Sequence, residues 1–388
     1  MDVSLMKKVL LITNVPTPYR IPLFERMNKS FKEIGWELTV VFGERSYQRR
    51  KYTLDEKTFD FKHIFINGGQ KNDSTNPEAT VFLYSGVLTL LRKKQPDHVI
   101  VSGFSPATLR VWWWSLTKGG SFSIWSGTIP RRGQTFGLVR TSIRKLMASR
   151  ANGFIAYGHE AKRYLSELGV PDHKIDIATN TVDTTYFREN AGLHRDQSAS
   201  EKTSPFTFTY IGYLVPRKQV DKILYAAAKL AQQRGDFRIR IIGDGSERKA
   251  LESLSVELMV SDMVGFEGHK QTSELPAILA ATNVFLFQTG FDIWGLVLNE
   301  AMAAGVACIA SIHGGATTDL IQDGLNGFRM DFNDTEALTE KMKWCIDHPS
   351  EVRSMGIRAS EDVEHLAGMD KAVRIFITNT LKSSKKKA

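Results

Sequence analysis

Two doubly wound α/β domains facing a central cleft are the fold that this sequence predicts. Strand-length apolar runs alternate with helical stretches along the chain, the pattern of parallel βαβ units. The alternation occurs twice, interrupted by a polar stretch without apolar periodicity, ENAGLHRDQSASEKTSP (189–205). A length of 388 residues suits two domains of ordinary size.

In the first series the strand runs are KVLLITN (8–14), WELTVVFG (36–43), FDFKHIFI (59–66), HVIVSGF (98–104), FSIWSG (122–127), GFIAYG (153–158) and KIDIATN (174–180). In the second they are FTFTYIGYL (206–214), FRIRIIG (237–243), MVGFEG (263–268), NVFLFQ (283–288) and VACIAS (306–311). This places one domain at 1–188, a linker at 189–205, a second domain at 206–361, a last helix at 362–381 and a mobile basic tail at 382–388. Hydrophobic content of 42% and charged content of 24% are those of a soluble globular protein. No run approaches the roughly 18 apolar residues of a spanning helix. In the N-terminal MDVSLMKKVLLITNV the run VLLI is too short for a signal peptide and Asn14 and Pro16 follow at once, so it reads as the first strand. The two cysteines, Cys308 and Cys345, have no metal-ligand spacing and suggest no disulfide framework, which makes a reducing cytoplasm the default.

Charge is unevenly placed. Residues 1–190 hold 28 Lys+Arg and 17 Asp+Glu, a balance of +11, and the remainder holds 23 against 25, a balance of −2. From His98 to His159 there is no acid but eight bases: Arg110, Lys118, Arg131, Arg132, Arg140, Arg144, Lys145 and Arg150. Such a run implies a polyanionic partner: membrane phospholipid, a diphosphate-linked acceptor or nucleic acid. No aromatic-basic reader motif accompanies it, so nucleic acid is not expected. Within the run, TFGLVRTSIRKLMASR (135–150) sets Phe136, Val139, Ile143, Leu146 and Met147 on one helical face, the form of a basic helix lying on anionic lipid. The competing reading buries that face in the domain core. Trp112, Trp113 and Trp114 cannot all face one core, and the preferred outlet is a second element packing over them rather than a membrane interface.

The most informative stretch is Thr289 to Phe328. A buried strand, NVFLFQ, is broken by Gly290, and a helix follows from Gly295 to Ala304. Asp292 lies in the loop and Glu300 about a turn and a half into the helix, roughly 8 Å along its axis from Gly295. Two acceptor-only carboxylates at that separation can hold two sets of hydroxyls, while the helix N-terminus suits a phosphate between them. A nucleotide sugar has that layout. An exposed helix Glu and an N-cap Asp are the plain alternatives. Lys218 follows the strand-turn YIGYLVPRK, where its cation would sit near a helix start that disfavours it unless an anion binds. Arg217 beside it is equally open to a surface role. In NVPTPYR (14–20), Arg20 reads either as a ligand contact or as a surface residue on a rigid turn.

Asp292-x7-Glu300 with AMAAG (301–305), GG (314–315), DLIQDG (319–324) and NGF (326–328), preceded by YIGYLVPRKQVDKIL (210–224), IIGDGSERKALESL (241–254) and Asn180-Thr-Val-Asp183, resembles the retaining glycosyltransferases of family 4, which have the GT-B fold of two Rossmann-like domains. The resemblance runs from about Lys8 to about Phe376. It implies a nucleotide-diphosphate sugar donor and a hydroxyl of a glycan or lipid-linked acceptor. It also implies retention of configuration, and a last helix that returns toward the first domain. Donor binding would fall to Gly212, Arg217, Lys218, Gly243, Asp292, Gly295, Leu296 and Glu300, with Lys218, Asp292 and Glu300 at the reaction centre. Tyr213 stands where the family has an Arg, which leaves more of the diphosphate charge to Lys218. Asp292 replaces the family's first Glu. The N-terminal catalytic His of some members has no secure match, and Arg20, Trp125 and His159 are the acceptor-side candidates. No DxD pair is placed to hold a diphosphate, so neither metal nor cofactor is expected. The implied location is cytoplasmic, peripheral on the inner face of the cell membrane. A sugar-nucleotide epimerase or hydrolase on the same architecture, or a basic nucleic-acid-binding protein, are the competing readings.

Overall fold

The computed structural model describes residues 6–46, 54–72, 80–131, 133–198 and 205–384. It forms two compact units, Met1–Asn180 with Met369–Ala388, and Thr181–Gly368.

The first unit is built on strands β1 (Lys7–Thr13), β2 (Trp36–Phe42), β3 (Lys62–Phe65), a short antiparallel pair β4 (Gln70–Asn72) and β5 (Thr80–Phe82), then β6 (His98–Ser102), β7 (Ser121–Ser126), β8 (Gly153–Ala156) and β9 (Ile175–Ile177). Seven of them form one parallel sheet in the order β3-β2-β1-β6-β7-β8-β9. Its helices are α1 (Ile21–Glu33), α2 (Val87–Lys94), α3 (Pro106–Lys118), α4 (Leu138–Ser149) and α5 (His159–Glu167), joined by a C-terminal helix, Met369–Ser384. Both faces of the sheet are covered, which is why its central strands carry unbroken apolar runs, Val9–Ile12 in β1 and Val99–Val101 in β6. In β1, Leu10 and Ile12 pack with Leu91, Val111 and Ala148 of α2, α3 and α4, while Val9 and Leu11 pack with Phe24 of α1 and Phe376 of the C-terminal helix. A Ser105–Thr108 capping box with Pro106 in the first turn starts α3, and Gly119 at φ +66° stops it.

The second unit carries α6 (Thr184–Ser198), β10 (Phe206–Ile211), α7 (Asp221–Ala231), β11 (Phe237–Ile242), α8 (Arg248–Glu257), β12 (Val264–Gly268), α9 (Leu275–Ala280), β13 (Val284–Phe287), α10 (Leu296–Ala303), β14 (Ala307–Ser311), α11 (Gly315–Leu320), β15 (Gly327–Met330), α12 (Thr335–Asp347) and α13 (Pro349–Ala367). The parallel order β12-β11-β10-β13-β14-β15 reverses between β10 and β13. At such a reversal the loops leaving the two strands diverge and open a crevice at their carboxyl ends. The fold is thus parallel-sheet α/β with two Rossmann-like sheets.

Several expectations change. The stretch read as a linker is helical up to Ser198: Asp183 accepts from the Tyr186 N–H, and Phe187 and Ala191, one turn apart, are buried. Two apolar contacts in fifteen residues leave little periodicity to read; 199–204 lie outside the described residues. The helix expected at 362–381 is two helices, α13 and α14 (Met369–Ser384), because Gly368 is extended, and a Cβ there would sit 2.3 Å from the Glu364 carbonyl oxygen. Of the tail, 385–388 lie outside the described residues, as does Arg132. The strand β15 and the pair β4–β5 were not anticipated.

Helix α14 belongs to the first unit. Phe376 meets Trp125 edge-on with ring centres 5.1 Å apart, and Asn379 donates to the Phe154 carbonyl at 3.2 Å and to Asp176 at 2.8 Å. Gly153 of β8 lets the helix approach, since a Cβ would lie 2.3 Å from Ser383 Oγ. Phe376→Ala should therefore cost the first unit about 3–5 kcal/mol in urea unfolding. A loss under about 1 kcal/mol would show that α14 is not part of that core.

Candidate active site

The crevice of the second unit is walled by the loop after β10, the turn after β11 and the segment from β13 into α10. Close backbone packing forms it. Gly243, at φ +142°, could not carry a Cβ, which would lie 1.9 Å from the Gly212 carbonyl oxygen. Gly295, at φ +98°, caps α10 directly against the ring of Phe287, 2.1 Å from where a Cβ would stand. The loop after β13 is laced to its neighbours: Gly290 N–H donates to the Arg217 carbonyl at 2.8 Å, and the Gly315 N–H to the Asp292 carbonyl at 2.9 Å.

These contacts bring the predicted residues together. Pro216–Lys218 form a single 3₁₀ turn that aims Lys218 inward, where it is 7% exposed. Its Nζ donates to Asp292 Oδ2 at 2.5 Å, and Arg217 lies 3.7 Å from the same oxygen and donates to the Phe291 carbonyl at 3.0 Å. Burial alone would raise the Asp292 pKa. The Lys218 cation and its hydrogen bond, then Arg217 and the Trp294 N–H, outweigh burial and hold the carboxyl below its ordinary value. Glu300, the fifth residue of α10, has no such cation, and burial pushes its carboxyl up to about 7. The two acids are therefore differentiated: the cations beside Asp292 favour its ionised form, whereas the surroundings of Glu300 favour its protonated one. Leu296 opens α10 beside Gly295. Trp294, 4% exposed, donates from its indole to Asn299 at 2.9 Å and so pins the first turn of the helix. Among the described residues no group of three or more His, Cys, Asp or Glu is placed to hold a metal ion.

Residues 194–362 match the family described as glycosyl transferases group 1. That region contains every member of the Lys218–Asp292–Glu300 constellation. The putative colanic acid biosynthesis glycosyltransferase WcaL of Salmonella typhimurium is 30% identical over 207 residues, 51% of this chain and 49% of that protein. The N-acetyl-alpha-D-glucosaminyl L-malate synthase of Bacillus anthracis is 29% identical over 225 residues, 58% of each. The chain thus spans about half the length of the curated relatives it matches. In fold, the Anabaena protein Alr3699/HepE, solved in complex with UDP, aligns over 97% of this chain and 100% of its own with a TM-score of 0.76 at 17% identity. The glycosyltransferase from Rickettsia africae aligns over 98% and 99% with a TM-score of 0.75 at 15% identity.

The group 1 match begins beyond the first unit's candidates, Arg20, Trp125 and His159. Arg20 is half-buried. Its guanidinium stacks 4.3 Å from the Trp125 ring and donates to Tyr157 Oη at 2.5 Å and Thr13 Oγ1 at 3.2 Å, tying the carboxyl ends of β1, β7 and β8 together. Trp125 is 2% exposed and packs into the core. His159 is exposed at the start of α5. Tyr157 and Phe287 were missed. Tyr157 ends a strand run with no motif to mark it, whereas the glycines at 295 and 314, both of which face the Phe287 ring, were a readable hint of a bulky neighbour.

Because the folded pKa of Glu300 lies above the ordinary carboxyl value, the stabilisation linked to its proton is present at low pH and is lost as pH rises through about 7. Glu300→Gln should accordingly melt close to wild type at pH 5 and above wild type at pH 8. Melting curves that shift in parallel across that window would contradict the assignment.

Proposed function

We propose that the chain is a retaining glycosyltransferase of family 4. It moves a sugar from a nucleotide-diphosphate donor to a hydroxyl of a glycan or lipid-linked acceptor, in polysaccharide, lipopolysaccharide or glycolipid synthesis. The observation that carries this reading is the Lys218–Asp292 ion pair set beside the start of α10, the helix that carries Glu300, at the strand-order reversal. A donor laid along it would set its ribose diol at Glu300, its diphosphate at Lys218 and the helix N–H groups, and its sugar hydroxyls at Asp292. The UDP complex of the Anabaena protein supports a nucleotide-linked donor.

In this mechanism Lys218 exchanges part of its hold on Asp292 for the leaving diphosphate, whose charge grows as the glycosidic bond breaks. Asp292 is then free to accept from the sugar. The acceptor hydroxyl attacks from the leaving-group side, which retains configuration without a covalent nucleophile. The positive charge comes from Lys218, Arg217 and the helix end, so the reaction needs neither metal nor cofactor. Arg20, seated on Trp125, and His159 form the acceptor side. The protein works peripherally on the inner face of the cell membrane; among the described residues no helix is long and apolar enough to cross one.

Glu300→Ala should weaken binding of UDP- or GDP-sugars by roughly 1.5–3 kcal/mol, read by calorimetry in a variant that still folds. Unchanged affinity would remove Glu300 from the site. Only the ionised carboxylate accepts hydroxyls. Wild-type donor affinity should therefore rise about tenfold between pH 6 and pH 8, and Glu300→Gln should abolish that dependence. Lys218→Ala should lower kcat more than it raises KM, because leaving-group charge is greatest in the transition state. An effect confined to KM would show that Lys218 holds the ground state equally well.

A further inference from the structure

Seven of the nineteen large apolar side chains exposed among the described residues lie on just two helices, α3 and α4. Leu138 is 87% exposed, Val139 75% and Trp113 53%; Leu109, Leu116, Ile143 and Leu146 complete the set. The two helices lie in one layer. They connect β6 to β7 and β7 to β8 in the same direction across the sheet, and both pack on the same core through Val111, Trp114 and Ala148. Arg150, at the end of α4, reaches the Ser115 carbonyl of α3 at 3.5 Å. The core takes only Met147 and Ala148 from α4, so most of its apolar stripe is left outside. Trp113 is likewise uncovered, contrary to the packing that the Trp112–Trp114 run suggested. So many uncovered apolar side chains on two helices of one layer mark an interaction surface.

Charge selects the occupant. Arg110, Lys118, Arg140, Lys145 and Arg150 flank these side chains, and among the described residues none of the five forms an ion pair. Arg144 drops out of the set that the sequence suggested. Its guanidinium stacks 3.9 Å from Phe136 and donates to Tyr164 Oη at 2.7 Å. At the amino ends of the strands, Trp113 also borders a groove of 1210 Å³ lined by Lys7, Arg92, Lys118 and Arg150. The one acid in that lining, Asp97, already accepts the Lys8 N–H at 2.8 Å. Pairing of two copies through this face would set these cations against their own counterparts. An anionic bilayer offsets them and receives the apolar side chains at its interface.

We propose that the outer face of α3 and α4 docks on an anionic phospholipid bilayer, with Leu109, Trp113, Leu138, Val139, Ile143 and Leu146 entering the interface and the adjoining basic groove holding headgroup phosphates. This deepens the peripheral-membrane setting given above and does not depend on the transfer chemistry. The test is co-sedimentation of the full chain with phosphatidylcholine vesicles, with and without phosphatidylglycerol. Wild type should bind only the anionic vesicles and be released by high salt. Val139→Asp/Ile143→Asp and Arg140→Glu/Lys145→Glu should each weaken binding by at least about tenfold. Met259→Asp, at an exposed apolar position of the second unit, should bind as wild type. Melting and nucleotide-sugar affinity, measured on the same samples, should be unchanged, so loss of donor binding in wild type would fail the transferase reading and leave this one standing. The proposal is overturned if wild type ignores anionic vesicles, if it binds neutral ones equally, or if the α4 variants bind normally. A dimer in sedimentation velocity that Val139→Asp/Ile143→Asp dissociates would also overturn it, assigning the face to a second copy.

Discussion

The Lys218–Asp292 ion pair joins the turn after β10 to the loop after β13, the two segments that the strand-order reversal pulls apart. Everything placed around the candidate site depends on that closure. The Gly290 N–H extends it along the backbone to the Arg217 carbonyl, the Gln288 side-chain amide donates to the Gln219 carbonyl, and the Asp292–Gly314 bridge fastens the next loop to it. Lys218 is nearly buried, so its charge must be met by an anion at all times. In the free protein Asp292 supplies that anion. A phosphate arriving beside α10 would meet a preformed cation already desolvated, with a carboxylate released as the cation turns to it. The same geometry thus explains folded stability without ligand and readiness for one.

Glu300 shows the opposite arrangement. It lies half-buried on α10 without a cation, and the loss of water around it pushes its carboxyl up to about 7. Stability favours the protonated form, and hydroxyl recognition favours the ionised one. A residue placed for packing alone would not sit there as an acid, since a Gln of the same length avoids the cost of ionisation.

Much of this was legible from residues alone. Parallel strands buried on both faces appear as unbroken apolar runs, and β1 and β13 were bounded within a few positions for that reason. The Asp292–Glu300 spacing was readable because one strand-loop-helix junction fixes it. What escaped depends on contacts distant in sequence. Arg20 read equally as a ligand contact or a surface residue, and its stacking on Trp125 and bond to Tyr157, more than a hundred residues away, could not be read from its own turn. Arg144 looked like one of a row of lipid-facing cations until Phe136 and Tyr164 enclosed it. Lys218 and Asp292 were placed in one site by resemblance, but their direct ion pair, across 74 positions, was not read from the sequence.

The central claim is that Glu300 must ionise to receive a nucleotide sugar. Proton release tests it most directly, by calorimetry of UDP- and GDP-sugar binding at pH 7 in buffers of different ionisation enthalpy. A carboxyl titrating at about 7 should release about half a proton per donor bound, and Glu300→Gln should release none. Binding of the wild type without proton release, or equal release from both proteins, would contradict the account.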